Sequence, residues 1–321
     1  WILWGSLKSI IAPMMGKLKA YRESERHAKM KVVEPLGITR CGRAEFRWGE
    51  RTYVMGIINL SPDSFAGDGV ADPRAALDRA RRFVAEGVDI LDIGGESTRP
   101  GSAPIAVQEE IKRVVPVIER LAAEVSVPLS IDTYKYEVAR QALAAGASLI
   151  NDQWGLKHDP RLAELAAERG VPIILMSNQR DRGGYDGSIK RDTAYYTDVV
   201  TEVISSLRKS LKLALERGVP WENIILDPGI GFGKTWQQDL ELIRRLEELK
   251  ELGRPILVGP SRKSFIGLAL GLPVEERLEA TAAAVAIAIV KGADIVRVHD
   301  VQAMVRVCRL SDAVIRSAQG V

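Results

Sequence analysis

From residue 53 onward the chain repeats one pattern eight times: a short run rich in Val, Ile and Leu, then a longer amphipathic stretch. The runs are YVMGIIN, VDILDIG, VPLSID, ASLIND, VPIILMS, NIILDPG, RPILVG and DIVRVHD. Each is short enough for a strand and apolar enough to be covered on both faces, as strands of a parallel sheet are. Helical periodicity fills the stretches between them, such as PRAALDRARRFVAEG, QEEIKRVVPVIERLAAEV, KYEVARQALAAG and EATAAAVAIAIVKG. Gly87, Gly146, Gly170, Gly218 and Gly292 sit where helices should stop, each just before the next run. Eight parallel strands with right-handed helical crossovers close into a barrel, and the length suits one. A doubly wound open sheet is the alternative, but no G-x-G-x-x-G follows the first run. The expected fold class is therefore α/β, a (β/α)8 TIM barrel over 53–321, single-domain with an N-terminal extension.

Two segments precede the barrel. Residues 30–52 read as a lead-in, with a hairpin that caps the barrel. Residues 1–29 are apolar and basic, but Lys8 and Pro13 break the apolar runs, which are too short to span a bilayer. No small-residue cleavage site follows a clear apolar core, which argues against a signal peptide. One reading is a surface-lying helix anchored by Trp1, Ile2, Leu3 and Trp4, with Lys17 and Lys19 flanking. The plainer reading is an upstream extension, neither ordered nor native, with the working protein starting near Met30. Lys and Arg number 45 against 42 Asp and Glu, a net +3 spread along the chain, so nothing demands a nucleic-acid partner. Cys41 and Cys308 have no metal-ligand spacing and read as reduced thiols of a cytoplasmic protein without stable membrane insertion.

Barrel active sites lie at the carboxyl ends of the strands, so polar residues should gather there. The runs end in Asn59, in Asp92 followed by GGESTRPG, in Asp132, in Asn151-Asp152, in Asp227, in GPSRKS and in RVHD. An isolated Asp after a strand is more often a helix cap than a functional group. Seven such strand ends instead imply one shared pocket. Asp132, Asn151 and Asp227 offer carboxylate and amide groups that suit a flat heterocycle with an amino-pyrimidinone edge. Buried without a partner such carboxylates are costly, so the set implies a ligand or cation. Asn59, Arg99, Arg297 and His299 suit a phosphate, alone or beside a hard cation. SRKS at 261–264 opens a helix, where unpaired N–H groups favour an anion.

The stretch DPGIGFGKT (227–235) tests a rival reading. An NTPase P-loop needs Gly, four residues, then Gly-Lys-Ser/Thr. Pro228 stands where the first glycine should be, and proline has neither the N–H nor the backbone freedom that nest requires. The reading fails, and Lys234 is then a solvated lysine after a glycine turn, outside the site. His158 reads as a surface residue before the fourth helix. Trp154 and Trp236 read as packing groups near the rim.

MGIINLSPDSF, DILDIGGESTRPG, SIDTYKYEVA, INDQ, DPGIGFGK, VGPSRKSFIG and DIVRVHD, in that order over roughly 53–318, resemble the dihydropteroate synthase family. The resemblance implies condensation of 7,8-dihydropterin-6-ylmethyl diphosphate with 4-aminobenzoate to give 7,8-dihydropteroate and diphosphate. It implies that Asp132, Asn151, Asp227 and Lys263 hold the pterin edge, with Met176 lining its slot and Arg297 against its face. Asn59 would bind Mg²⁺ and diphosphate, alongside Arg99, Arg297 and His299. Phe65, Thr98, Pro100, Phe232 and Ser264 would border 4-aminobenzoate. Arg297, His299, Lys263 and the loop acid Asp68 would carry the catalytic step. A homodimer is implied as well, through helices late in the barrel such as TAAAVAIAIV.

Two departures stand out. Many members read Ser-Phe-Ser-Asp-Gly-Gly after strand one, whereas this chain reads SFAGDG, with Gly67 at the loop acid's position and the acid displaced to Asp68. After strand five the family often has Met-His, and here Met176 precedes Ser177. The competing functions are a pterin-dependent methyltransferase on the same barrel and a non-catalytic pterin-binding protein. SRKS and STRPG argue against the first. Asn59, Arg297 and His299 argue against the second.

Overall fold

Two strands come first: β1 (Ile38–Cys41) and β2 (Ala44–Arg47) pair antiparallel across the turn Gly42-Arg43, with Gly42 at φ +57°. Strands and helices then alternate. β3 (Tyr53–Asn59), α1 (Pro73–Glu86), β4 (Ile90–Gly94), α2 (Val107–Glu124), β5 (Leu129–Asp132) and α3 (Tyr136–Ala144) form the first half. β6 (Leu149–Asp152), α4 (Arg161–Arg169), β7 (Ile173–Met176), α5 (Val199–Glu216), β8 (Ile224–Asp227) and α6 (Trp236–Arg244) follow. β9 (Leu257–Val258), α7 (Ser264–Leu270), α8 (Leu278–Val290), β10 (Ile295–Val298) and α9 (Val301–Arg316) complete the chain. This computed structural model describes residues 36–61, 73–97, 102–180 and 198–316.

The eight later strands are all parallel, in the order β8-β7-β6-β5-β4-β3-β10-β9. A parallel bridge from Leu226 to Ile256 joins the two ends, so the sheet closes into the expected (β/α)8 barrel. The five glycines expected to end helices all have positive φ, from +64° at Gly170 to +116° at Gly146. That geometry closes a helix with a left-handed residue at little cost.

Alternation along the strands splits the apolar residues into two sets. Val54, Leu91, Ile131, Ile150, Leu175 and Val296 belong to the larger cluster, which packs against the helices. Met55, Ile90, Leu149, Ile174, Ile225 and Ile295 point the other way and join a second cluster with Cys41, Phe46 and Trp48. The hairpin therefore covers the amino-terminal end of the barrel interior. Phe46 and Trp48 each meet the Tyr53 ring edge-on, at 4.9 and 5.5 Å, and Trp48 Nε1 donates to Thr39 Oγ1 at 2.9 Å. Each fully buried side chain of this kind contributes about 1.5–3 kcal/mol. With that end filled, a ligand can enter only from the other.

Candidate active site

Above the apolar layer the inward positions turn polar. Ile90, Leu149, Ile225 and Ile295 are each followed two residues later by Asp92, Asn151, Asp227 and Arg297, and Ile174 by Met176. Met55 leads to Asn59, which ends β3 beside Gly94. Parity thus brings Asn59, Asp132, Asn151, Met176, Asp227 and Arg297 to one end of one interior.

Arg297 is the hub of this layer. Its Nε donates to Asp92 Oδ2 and its Nη2 to Asp132 Oδ2, both at 2.6 Å. Asn151 Nδ2 donates to the same Asp92 oxygen at 3.0 Å, and Gln153 Nε2 to Asp132 Oδ1 at 3.1 Å. Asp92 is fully buried, and its Oδ1 has no hydrogen-bond partner among the described residues. Burial works against the charge on Arg297, but Asp92 and Asp132 outweigh it and its pKa is raised. Burial pushes Asp132 up to about 7 against the pull of Arg297. It raises Asp227 as well, opposed by Lys263, and pulls Lys263 down to about 8, opposed by Asp227 and Asp239. Shifts of this kind, from burial set against specific charge partners, are typical of ligand-binding carboxylates and amines.

The loop after β8 lies flat on the loop after β7. Gly229 has φ +70°, and a Cβ there would stand 2.4 Å from the Ser177 carbonyl oxygen. Gly233, at φ +73°, would meet the Gln179 carbonyl carbon at 2.5 Å. Only glycine fits both constraints. Lys263 reaches across to donate to the Ile230 carbonyl, and its Nζ lies 4.7 Å from the centre of the Phe232 ring. The Arg180 guanidinium lies 4.3 Å from the same ring. His299 is fixed by Ser261, whose Oγ is 2.9 Å from Nδ1 and accepts the His299 backbone N–H at 3.2 Å. The SRKS turn is held at Arg262, φ +54°, which pairs with both carboxylate oxygens of Asp300 at 2.6 and 2.8 Å. Ser264 opens α7 directly after it.

Several expectations need correction. Lys234 is not a solvated lysine: it is partly buried, and its Nζ donates to the carbonyls of Ser177, Gly229 and Phe232 at 3.1, 2.9 and 3.2 Å. Asp152 is one position out of phase with Asn151 and faces away from the interior. It accepts the backbone N–H groups of Trp154 and Leu156 at 2.9 and 2.6 Å, which is a turn-forming role. His158 is exposed, as expected, beside the Tyr134 ring at 4.4 Å. Phe65, Asp68, Thr98, Arg99 and Pro100 lie outside the described residues.

Other functional groups were missed. Asp92 was visible as a strand end but not assigned a role, and its phase with Ile90 was the signal that would have placed it inside. Gln153 shares the phase of Leu149 and Asn151 and closes the INDQ stretch, but it lies one residue past the end of β6. A further cluster sits beside the loop after β4. Lys135 Nζ donates to Glu96 Oε2 and Glu110 Oε2, both at 2.6 Å, and to the Ile105 carbonyl at 2.7 Å. Glu96 also accepts the Ile105 N–H at 3.0 Å and the Tyr134 hydroxyl at 2.8 Å. One carboxylate therefore ties the start of this loop to its end.

Fold and site together define a class: a (β/α)8 barrel closed at its amino end, with a polar interior layer suited to a planar, hydrogen-bonding ligand. The family described as pterin binding enzyme matches residues 55–299. The dihydropteroate synthase of Clostridium beijerinckii is 48% identical over 279 residues, covering 86% of this chain and 99% of that one. Among solved structures, Burkholderia cenocepacia dihydropteroate synthase complexed with 7,8-dihydropteroate superimposes with a TM-score of 0.76 at 41% identity, over 88% of this chain and 98% of that one. Xanthomonas albilineans dihydropteroate synthase with 4-aminobenzoic acid gives 0.77 at 39% identity, over 88% and 99%. The chain belongs to the pterin-binding enzyme family and, within it, to the dihydropteroate synthases.

Proposed function

We propose that the barrel mouth binds 7,8-dihydropterin-6-ylmethyl diphosphate and 4-aminobenzoate and joins them into 7,8-dihydropteroate, releasing diphosphate. The observation that carries this reading is the interior layer in which Asp132, Asn151 and Asp227 share one end of the barrel with Arg297. The carboxylates would accept the pterin's ring N–H and amino groups, and Asn151 would both donate and accept. Met176 would line the ring, with Arg297 against its face. Asp132 is already held by Arg297 and Gln153, so its orientation is set before the ligand arrives.

As the C–O bond to diphosphate breaks, the bonding pair leaves with the diphosphate and positive charge develops on the methylene carbon. Arg297 and His299 would stabilise the departing oxygens, and Lys263 would stand beside the pterin. The uncharged aniline nitrogen then attacks the carbon and loses its proton. No protein nucleophile is needed. Phe232, held near Lys263 and Arg180, would flank the aminobenzoate, with Ser264 near its carboxylate. Roles for Phe65, Asp68, Thr98, Arg99 and Pro100 rest on the sequence resemblance.

The residues fit Mg²⁺ as a substrate-borne ion. Among the described residues no three His, Cys, Asp or Glu side chains come together to hold a metal. Asn59 offers one hard oxygen at a strand end, which suits an ion whose other ligands are diphosphate oxygens and water. When bound, the ion would neutralise charge on the leaving group. The apolar α8 and its neighbour α9 leave Ile287, Val290, Leu310 and Val314 exposed, which favours a homodimer through these late helices. No helix of the described residues is long and apolar enough to cross a membrane.

The test is diphosphate release from purified protein with pterin diphosphate and Mg²⁺, with and without 4-aminobenzoate, while following dihydropteroate. Release that requires 4-aminobenzoate and matches product supports the synthase. Binding without turnover would favour a binding protein and direct attention to Gly67 and Ser177. A methyl transfer from a pterin donor would replace the reading.

A further inference from the structure

Lys234 stands immediately before α6, whose first turn is closed by a capping box between Thr235 and Gln238. Its backbone is therefore anchored by the helix while its side chain runs back under two loops. An ammonium has three N–H donors. Here all three meet backbone carbonyls: Ser177 after β7, then Gly229 and Phe232 after β8. Among the described residues the two loops are otherwise joined by the Arg180 guanidinium against the Phe232 ring and by two backbone hydrogen bonds. The direct backbone links between them are Ser177 N–H to the Asp227 carbonyl at 2.9 Å and a longer bond from Gln179 N–H to the Phe232 carbonyl at 3.4 Å. Gly229 and Gly233 have no side chains to lock, so the segment between them has little intrinsic rigidity.

We propose that Lys234 is a positioning residue, a strut that holds the loops after β7 and β8 together so that Met176, Asp227 and Phe232 keep their places around the pterin. The argument rests on the proposed pterin site and deepens it. Each bonded carbonyl lies close in sequence to a ligand-facing side chain: Ser177 follows Met176, Gly229 is two residues past Asp227, and Phe232 is itself one of the set. The Gly229 N–H also donates to Asp227 Oδ1 at 2.7 Å, so a shift of that peptide moves the carboxylate directly. The Gly231 N–H is tied to Asp239 Oδ1 on α6 at 2.8 Å, which anchors the middle of the loop to the same helix. Lys234 would not touch the substrate. It acts through the backbone.

The test compares wild type with Lys234→Met, which keeps the length of the side chain and removes its donors. Amide hydrogen exchange without ligand is read at 177–180 and 229–233, and 7,8-dihydropteroate affinity is measured by calorimetry. The expected result is faster exchange confined to those two segments, unchanged exchange in the barrel strands, and roughly 10–100-fold weaker dihydropteroate binding. Unchanged exchange in both segments, or affinity within about 3-fold of wild type, would overturn the proposal. If Lys234→Met does not fold, Lys234→Ala, which also removes the donors but lets water reach the three carbonyls, is read in the same way. Failure of both to fold would assign the lysine to stability of the barrel and also overturn it. Because exchange is measured without ligand, the strut can stand even if the wild type proves unable to bind or turn over a pterin, an outcome that would defeat the proposed function alone.

Discussion

Arg297 and Asp132 are 165 residues apart in sequence, yet Nη2 of one lies 2.6 Å from Oδ2 of the other across the barrel interior. The same guanidinium holds the fully buried Asp92. Its removal has two separable consequences. Arg297→Ala should destabilise the fold by about 3–5 kcal/mol, because Asp92 is left buried without its countercharge. Arg297→Lys keeps the charge but not the two-pronged geometry. It should stay folded and lose about 2.7–4 kcal/mol of transition-state stabilisation, read as a roughly 10²–10³-fold fall in kcat. Denaturant unfolding and steady-state kinetics check both. An alanine variant as stable as wild type would show that Asp92 does not depend on Arg297.

Buried carboxyls give the unliganded protein an unusual pH profile. Burial raises Asp132 to about 7 and Asp152, Asp239 and Asp294 to about 6. Each then has a folded pKa above its unfolded value of about 3.9. The folded state binds more protons than the unfolded chain between those values, so stability falls as pH rises from about 4 to about 7. Glu137 and Asp198 act in the opposite sense. Hydrogen bonds from Arg140 and from Arg245 hold them at about 2, so their contribution is lost only as pH falls from about 4 towards 2. Burial lowers Lys263 to about 8, so stability recovers as pH rises from about 8 towards 10. The melting temperature should therefore be higher near pH 5 than near pH 7. A melting temperature that climbs steadily from pH 5 to 7 would contradict these assignments.

The Lys135 cluster makes a coupling prediction. Lys135→Met leaves Glu96 and the almost fully buried Glu110 facing one another without a cation, and should cost about 3–5 kcal/mol. Glu110→Gln in the same chain removes one of the two charges and should restore part of that loss. Urea unfolding of the two single variants and the double variant measures the coupling. Strictly additive effects would mean that the three charges do not act together.

The late helices predict an association state. Val290 is 62% exposed on α8 and Val314 is 72% exposed on α9, on two helices that pack against one another. Val290→Glu should leave the barrel folded and move the protein from dimer to monomer in light scattering. A wild type that is monomeric at micromolar concentration would remove this reading.

Much of the architecture was legible because it is written locally. Apolar runs of strand length, amphipathic stretches of helix length and glycines at helix ends each report on a few neighbouring residues, and their eightfold repetition implied closure. The period of two along each strand also determined which strand-end groups face inward. Asp92 and Asp227 share the phase of Ile90 and Ile225, whereas Asp152, one residue beyond Asn151, is turned out by the same rule. What only the tertiary structure decided is partnership. Lys234 looked solvated because its three acceptors are backbone carbonyls, which have no sequence identity, two of them in its own loop and one 57 residues away. The pairing of Arg297 with Asp92 and Asp132 depends on how the closed sheet brings β10 round beside β3, within reach of β4 and β5. The sequence by itself determined which groups enter the barrel interior, since side-chain direction follows from backbone alternation. Which of them meet was left to the tertiary structure, because closing the barrel brings together charges that no local pattern relates.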